Sequence, residues 1–210
     1  MYTLFGYKGS GSAAVEAVLE LAQLPYVLKN AASWDDASLR AELRAANPME
    51  QIPTLLLPDG SALSESAAIL IHLGLAHPSS QLLPQDASRR AQALRGLVFI
   101  AANCYSAISI IDYPRRWCEP ADDDTDRRIR AGTRRRLHAH WEVFADLFTG
   151  DGEFLDGAAQ PGALDLLAAV VSRWSGARAH LESARPALHA ALRRIEAQPA
   201  VKPVFARHWS

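Results

Sequence analysis

The chain has 210 residues, 49% hydrophobic and 21% charged, and its 22 basic residues almost balance 23 acidic ones, for a net charge of −1. That length supports one large or two small domains with proper cores, and the composition is ordinary for a soluble globular protein. The near-neutral balance supplies no field to draw the chain to nucleic acid or an acidic membrane, and no segment offers the ~20 uninterrupted apolar residues of a bilayer span. The start, MYTLFGYKGS, has neither a basic n-region nor a long apolar h-region, which argues against a secretory signal. Two cysteines, Cys104 and Cys118, without CxxC spacing fit a reducing, cytoplasmic setting and argue against a zinc site or disulfide framework.

Met1 to Phe5 reads as a short strand that breaks in Gly6-Tyr7-Lys8-Gly9-Ser10-Gly11-Ser12. A helix follows over Ala13 to Gln23, with Ala14, Ala17, Val18 and Leu21 on one face and Glu16 and Glu20 towards water. Leu24-Pro25-Tyr26-Val27-Leu28 starts a second strand, and Ala37 to Ala46 is an amphipathic helix carrying Leu39 and Leu43, with Arg40, Glu42 and Arg44 exposed.

Asn47 to Ile69 reads NPMEQIPTLLLPDGSALSESAAI. Thr54 to Leu57 is a short apolar strand, Pro58-Asp59-Gly60 is strong turn chemistry, and Ser61 to Leu63 returns antiparallel. Ser64-Glu65-Ser66 opens the next helix, where unpaired backbone N–H groups welcome an anion. Pro53 stands at the mouth of a strand, a position a proline tolerates. The order β-α-β followed by β-β-α predicts an α/β sandwich of thioredoxin-like type.

The run NPxxQ(I/V)PTLxxxDGxxLxES resembles the glutathione-binding half of the glutathione S-transferase superfamily, and the resemblance extends over essentially the whole chain. It implies an N-terminal thioredoxin-like domain (residues 1–77), a linker (78–86) and an all-helical domain (87–210). It further implies a cis Pro53, with the backbone of Ile52, beside Gln51, pairing with the cysteinyl part of glutathione like an added strand. Glu65 and Ser66 would hold the γ-glutamyl end, Ser66 on its carboxylate and Glu65 near its amine. An S-E-S sequence alone is more often a plain helix cap; the whole constellation reverses that.

After His77-Pro78-Ser79-Ser80-Gln81-Leu82-Leu83-Pro84 no strand signal remains. Asp86 is an N-cap for a long helix from Ala87 to about Ile111, stopped at Tyr113-Pro114. Asp122 to Asp124 and Asp126 put acid at the start of a helix from Thr125 to Phe148, with Leu137, Trp141, Phe144 and Phe148 as its core stripe and Arg134 to Arg136 as a solvated flank. Gly162-Ala163-Leu164-Asp165 precedes an apolar helix running to Trp174. Members of the superfamily carry a (Ser/Thr)-x-x-Asp capping motif there; Asp165 matches its acid, whereas Gly162 lacks the side-chain acceptor. Pro186 starts the last regular helix, Pro199 stops it, and a tail with Phe205, His208 and Trp209 follows.

The substrate implied by the resemblance brings its own nucleophile, a thiol that a useful site must hold as thiolate. The family puts this machinery, a Tyr, Ser or Cys, between the first strand and the first helix. Counting back from Leu24-Pro25-Tyr26, the serine-type position falls near Gly9 or Ser10 and the cysteine-type position at Gly11, so a cysteine-type covalent role is disfavoured. Ser10 is the first candidate donor, Ser12 the second and Tyr7 the third. Tyr105, Ile108, Ile111, Tyr113, Trp117 and Trp209 are candidates to line an electrophile site between the domains.

The leading expectation is therefore a homodimeric glutathione transferase, using glutathione as co-substrate and no metal, that conjugates it to a small hydrophobic electrophile. A glutathione-dependent isomerase of maleylacetoacetate type or a dehalogenase is one alternative. A non-catalytic glutathione-binding or regulatory protein is the other.

Overall fold

The computed structural model describes residues 1–32, 35, 38–155, 157 and 159–209. Four strands, β1 (Tyr2–Gly6), β2 (Tyr26–Asn30), β3 (Thr54–Leu56) and β4 (Ala62–Leu63), form one sheet in the order β2-β1-β3-β4. β1 and β2 are parallel, with Leu4 opposite Leu28; β3 runs antiparallel to β1, with Leu4 opposite Leu55; β4 is antiparallel to β3. Helix α1 (Ser12–Leu21) makes the parallel crossover, α2 (Arg40–Ala46) leads to β3, and α3 (Ser66–Ala76) follows β4. This is the expected thioredoxin-like βαβαββα domain, and a helical domain follows it.

Alternation sorts the sheet's faces. Tyr2 and Leu4 point into the main core with α1 and α3, whereas Phe5 faces a small cluster with Ala31 and Leu43, the buried residue of α2. That helix is shorter than the sequence suggests: it starts at Arg40, Leu39 is exposed, and Ala37 lies outside the described residues.

The helical half begins with α4 (Ala87–Phe99), capped by Asp86, which accepts the Arg89 N–H at 2.8 Å. A π-helical stretch, Ile100–Tyr105, joins it without a break to α5 (Ser106–Asp112). The resulting 26-residue helix is long and apolar enough by composition to cross a membrane. Here Leu97, Ile100, Cys104, Ala107, Ile108 and Ile111 are buried in protein. α6 (Asp123–Phe148) starts with Asp122 accepting from Thr125 N–H at 2.7 Å and buries the expected stripe, with Trp141 and Phe144 fully enclosed. α7 (Ala163–Val171) is buried along its whole length and ends three residues before Trp174. Its start is fixed by Asp165, whose carboxylate accepts from Gly162 N–H and Leu155 N–H, both at 2.9 Å. The acid half of the capping motif thus acts without a side chain at residue 162.

Two helices appear where the sequence reading had none: α8 (Ala177–Ala184), before α9 (Pro186–Glu196), and α10 (Lys202–His208) in the expected tail. α10 packs on α1, and this changes the fate of Glu16. Expected in water, Glu16 is 1% exposed, because its face of α1 is covered by Arg207 and His208. One hydrophobic core runs from Tyr2 through α1, α3, α4 and α7 to Phe205, so the two halves share their interior.

Candidate functional site

The loop after β1 is a tight hydroxyl-rich turn. Ser10 N–H donates to Tyr7 C=O at 3.1 Å, and Ser12 N–H donates to Ser10 Oγ at 3.2 Å. Ser12 Oγ accepts from Tyr7 N–H at 3.2 Å, can donate to Tyr7 C=O at 3.3 Å, and lies 2.8 Å from Ser10 Oγ, where either hydroxyl can donate. The pair has two hydroxyl protons. When Ser12 gives its proton to Ser10, the Ser10 proton is left for the cavity in front of it. Ser10 lines that cavity, whereas Ser12 is fully buried beneath it. The expectation of Ser12 as a second thiolate donor therefore changes: its hydroxyl faces Ser10 and the Tyr7 backbone. The Tyr7 side chain does not line the cavity either; its backbone holds the two serines.

Gly9 has φ +73°, in the left-handed region that favours glycine, and its N–H donates to His208 Nδ1 at 3.1 Å. Nε2 of the same ring pairs with Glu16 Oε2 at 2.9 Å, and Arg207 Nε donates to Glu16 Oε1 at 3.0 Å. Burial pushes the Glu16 carboxyl up, but the hydrogen bonds and electrostatic attraction of His208 and Arg207 outweigh it, and the net shift is downward.

Across the cavity, the Ile52–Pro53 bond is cis, as the resemblance implied. Asn47, itself buried, donates from Nδ2 to Gln51 C=O at 3.2 Å and to Thr54 Oγ1 at 3.0 Å, pinning both sides of the turn. Ile52 makes no backbone hydrogen bond to any described residue. At the start of α3, Glu65 adopts φ 64°, ψ 109°, a conformation costing a non-glycine residue roughly 1–3 kcal/mol. Neither Glu65 nor Ser66 makes a side-chain cap hydrogen bond to α3, and both line the cavity.

These pieces meet in one cavity of about 820 Å³. Gly9, Ser10 and Gly11 line it from the first loop, Gln51, Ile52 and Pro53 from the second, and Glu65 and Ser66 from α3. The opposite wall is the long helix, with Tyr105, Ile108 and Tyr113. Ile111 is buried in the core and does not line the cavity. Trp117 and Trp209 are not brought there. Trp117 follows the end of α5 and is 61% exposed, and Trp209 packs on Phe205 and under Arg173, whose guanidinium carbon lies 4.3 Å from the indole centroid. The turn of α10 against α1 carries Trp209 away.

The cavity also gathers residues to which no sequence signal pointed. Arg40, read as an exposed residue of α2, reaches its rim and pairs with Glu50, a carboxylate that Arg44 also pairs with. These guanidiniums hold the Glu50 carboxyl below its usual range. Asp112 and Arg116 lie near the far end, with Arg116 stacked 4.1 Å from the Tyr113 ring centroid. Burial raises the Asp112 carboxyl against the opposing charge of Arg130. Trp174, expected inside α7, lies beyond it and packs on Tyr105, ring centroids 5.7 Å apart. One end of the cavity thus offers a donor loop, an unpaired backbone edge and a helix start. The other end mixes aromatic, hydroxyl and charged groups.

Residues 12–76 match the glutathione S-transferase N-terminal domain family. Over 181 residues the chain is 34% identical to the probable glutathione S-transferase BZ2 of Zea mays, covering 78% of this chain and 73% of that protein. It is 31% identical over 130 residues to the uncharacterized GST-like protein YncG of Escherichia coli, 61% of this chain and 63% of that one. It is also 37% identical over 92 residues to the probable maleylacetoacetate isomerase 2 of Drosophila melanogaster, 42% of this chain and 40% of that protein. Among solved structures, a glutathione transferase homolog from Sulfitobacter with bound glutathione has the same fold, with TM-score 0.83 at 23% identity over 97% of this chain and 96% of that one. The chain belongs to the glutathione S-transferase superfamily.

Proposed function

We propose that the protein is a glutathione transferase that binds glutathione in the 820 Å³ cavity, holds its sulfur as thiolate, and adds it to a small electrophile. The observation carrying this reading is the convergence of Ser10, Ile52 beside cis-Pro53, and the strained Glu65-Ser66 start of α3 on one cavity. Each part of the tripeptide meets a matching group. The cysteinyl backbone meets the open edge of Ile52, and the γ-glutamyl carboxylate meets the N-terminus of α3 with Ser66. The sulfur then lies towards Ser10. Arg40 suits the glycyl carboxylate at the rim.

The electrophile occupies the end walled by Tyr105, Ile108 and Tyr113, and the protein works as a homodimer without a metal, in a reducing compartment that keeps Cys104 and Cys118 as thiols. The division at residues 78–86 separates the glutathione-binding part from the part that supplies this wall. Ser106, Ser109, Asp112 and Arg116 give the electrophile end a polar character, which favours an isomerase-type reaction on a carboxylate-bearing substrate as the second reading. The test is calorimetric titration with glutathione, followed by turnover assays against an aryl halide and against maleylacetoacetate. Saturable binding with turnover of the aryl halide supports conjugation, turnover of maleylacetoacetate supports isomerisation, and absence of glutathione binding removes both.

A further inference from the structure

Tyr105 closes the π-helical stretch in the middle of the long helix, and such local widenings of a helix recur at functional sites. Its ring is wedged against Trp174, yet its hydroxyl has no hydrogen-bond partner among the described residues. That hydroxyl lies directly over Gly11: a Cβ built on Gly11 would stand 2.1 Å from the Tyr105 oxygen and 3.1 Å from Cζ. Residue 11 must therefore be glycine for the phenol to sit there. The phenol oxygen occupies the space a side chain at position 11 would fill, beside Ser10 and in front of the start of α1. Both residues line the same cavity as Ile52, Glu65 and Ser66.

We propose that the Tyr105 hydroxyl donates a hydrogen bond to the substrate sulfur, so that the thiolate is held from two sides, by the first loop and by the helical half. This rests on the reading that glutathione occupies the cavity. Burial first, and then the negative charges of Glu65 and Asp112, push the Tyr105 phenol up to about 12, so it keeps its proton throughout the neutral range and can only donate to an anion. The hydroxyl opens onto the cavity without a protein partner among the described residues, which leaves its proton free for a ligand there. A thiolate is an acceptor without a proton of its own. The geometry also explains why the cysteine-type position of this chain is empty: a side chain there and a phenol over it exclude each other.

The experiment compares wild type with Tyr105→Phe, which keeps the ring on Trp174 and removes only the hydroxyl. The absorbance of bound thiolate is followed against pH, with calorimetric affinities for glutathione and for S-methylglutathione, which has no ionisable thiol. The expected result is a bound-thiol pKa raised by roughly one unit in Tyr105→Phe, about a tenfold loss of thiolate near neutrality, with S-methylglutathione affinity unchanged. Gly11→Ala, whose methyl would displace the phenol, should raise the thiol pKa in the same direction. A depressed thiol pKa that is the same in wild type and Tyr105→Phe would overturn the assignment of Tyr105 while leaving glutathione binding in place. A bound thiol that titrates like free glutathione in wild type would do the same. Failure of wild type to bind glutathione or S-methylglutathione would overturn the glutathione reading, and this inference with it.

Discussion

The backbone N–H of Gly9 is held by Nδ1 of His208, 199 positions further along the chain, at 3.1 Å. A ring nitrogen that accepts an amide proton carries none itself, so the imidazole proton is on Nε2, facing Glu16. The end of the chain therefore braces the first loop of the cavity through a buried relay, Gly9 to His208 to Glu16. His208→Ala leaves a part-buried N–H and a buried carboxylate each short of one partner. The expected outcome is a loss of about 1–3 kcal/mol of stability, read from the urea-unfolding midpoint. Weaker glutathione binding should accompany it as Gly9 relaxes, and unchanged stability and affinity would show that the relay is dispensable.

The same relay sets an acid dependence. The folded-state pKa of Glu16 lies below its ordinary value of 4.5, so its contribution to stability is complete above that pH and declines as pH falls through the folded value. Unfolding midpoints at pH 7 and pH 4 for wild type and Glu16→Gln should show the variant less stable at pH 7. The gap should narrow at pH 4, because acid does to wild type what the amide does to the variant. A gap independent of pH would mean that Glu16 is not the group responsible.

Ser66 opens α3 without a side-chain cap hydrogen bond and lines the cavity, so in the proposed reading its hydroxyl is left for the γ-glutamyl carboxylate. Ser66→Ala is expected to weaken glutathione binding by about 1–3 kcal/mol, the worth of a hydrogen bond to a charged group. The thermal midpoint should stay close to that of wild type. Calorimetry and a melting curve on the same sample separate the two effects.

Ser10 and Ser12 should part company. Ser10→Ala removes a hydroxyl that faces the cavity and is expected to lower turnover with little change in affinity. Ser12→Ala removes a buried hydroxyl bonded to Tyr7 N–H and paired with Ser10, so it should cost stability as well, about 1–3 kcal/mol. Steady-state kinetics beside urea unfolding make the comparison. Equal stability of the two variants would contradict the burial difference.

Asp165 serves two N–H groups, one at the start of α7 and one in the loop at Leu155. Asp165→Ala orphans both within the core, and at about 1.5–3 kcal/mol per charge-assisted bond it should be the most destabilising of these substitutions. The expected readout is a large fall in the melting temperature, or insoluble expression.

Local chemistry was readable wherever neighbours in sequence are neighbours in space. The Pro58-Asp59-Gly60 turn, the caps at Asp86 and Asp122, and the stripe of α6 follow from turn geometry and helical periodicity, which act over a few residues. The NPxxQIPTL…LSES run is compact enough to announce the cis bond and the start of α3 through the family it resembles. Gly162 and Asp165 were legible for the same reason.

What the tertiary structure decided depends on contacts between distant segments. Nothing near Glu16 in sequence reveals that α10 will cover it, and the amphipathic pattern of α1 assigns it to water. Trp209 and Trp117 are aromatic residues in plausible segments, yet packing directs one onto Arg173 and leaves the other exposed. Arg40, Arg116 and Trp174 reach the cavity because three segments distant in the chain converge there. Tyr105 meets Gly11 because a π-helical stretch sets its direction and glycine leaves room, a relation between residues 94 positions apart that no local pattern encodes. Sequence alone determined the family and most of the elements, though not α8 or α10, since those rest on short-range propensity and a contiguous motif. Only the fold determined which side chains share the cavity, because that depends on how helices distant in the chain pack against one another.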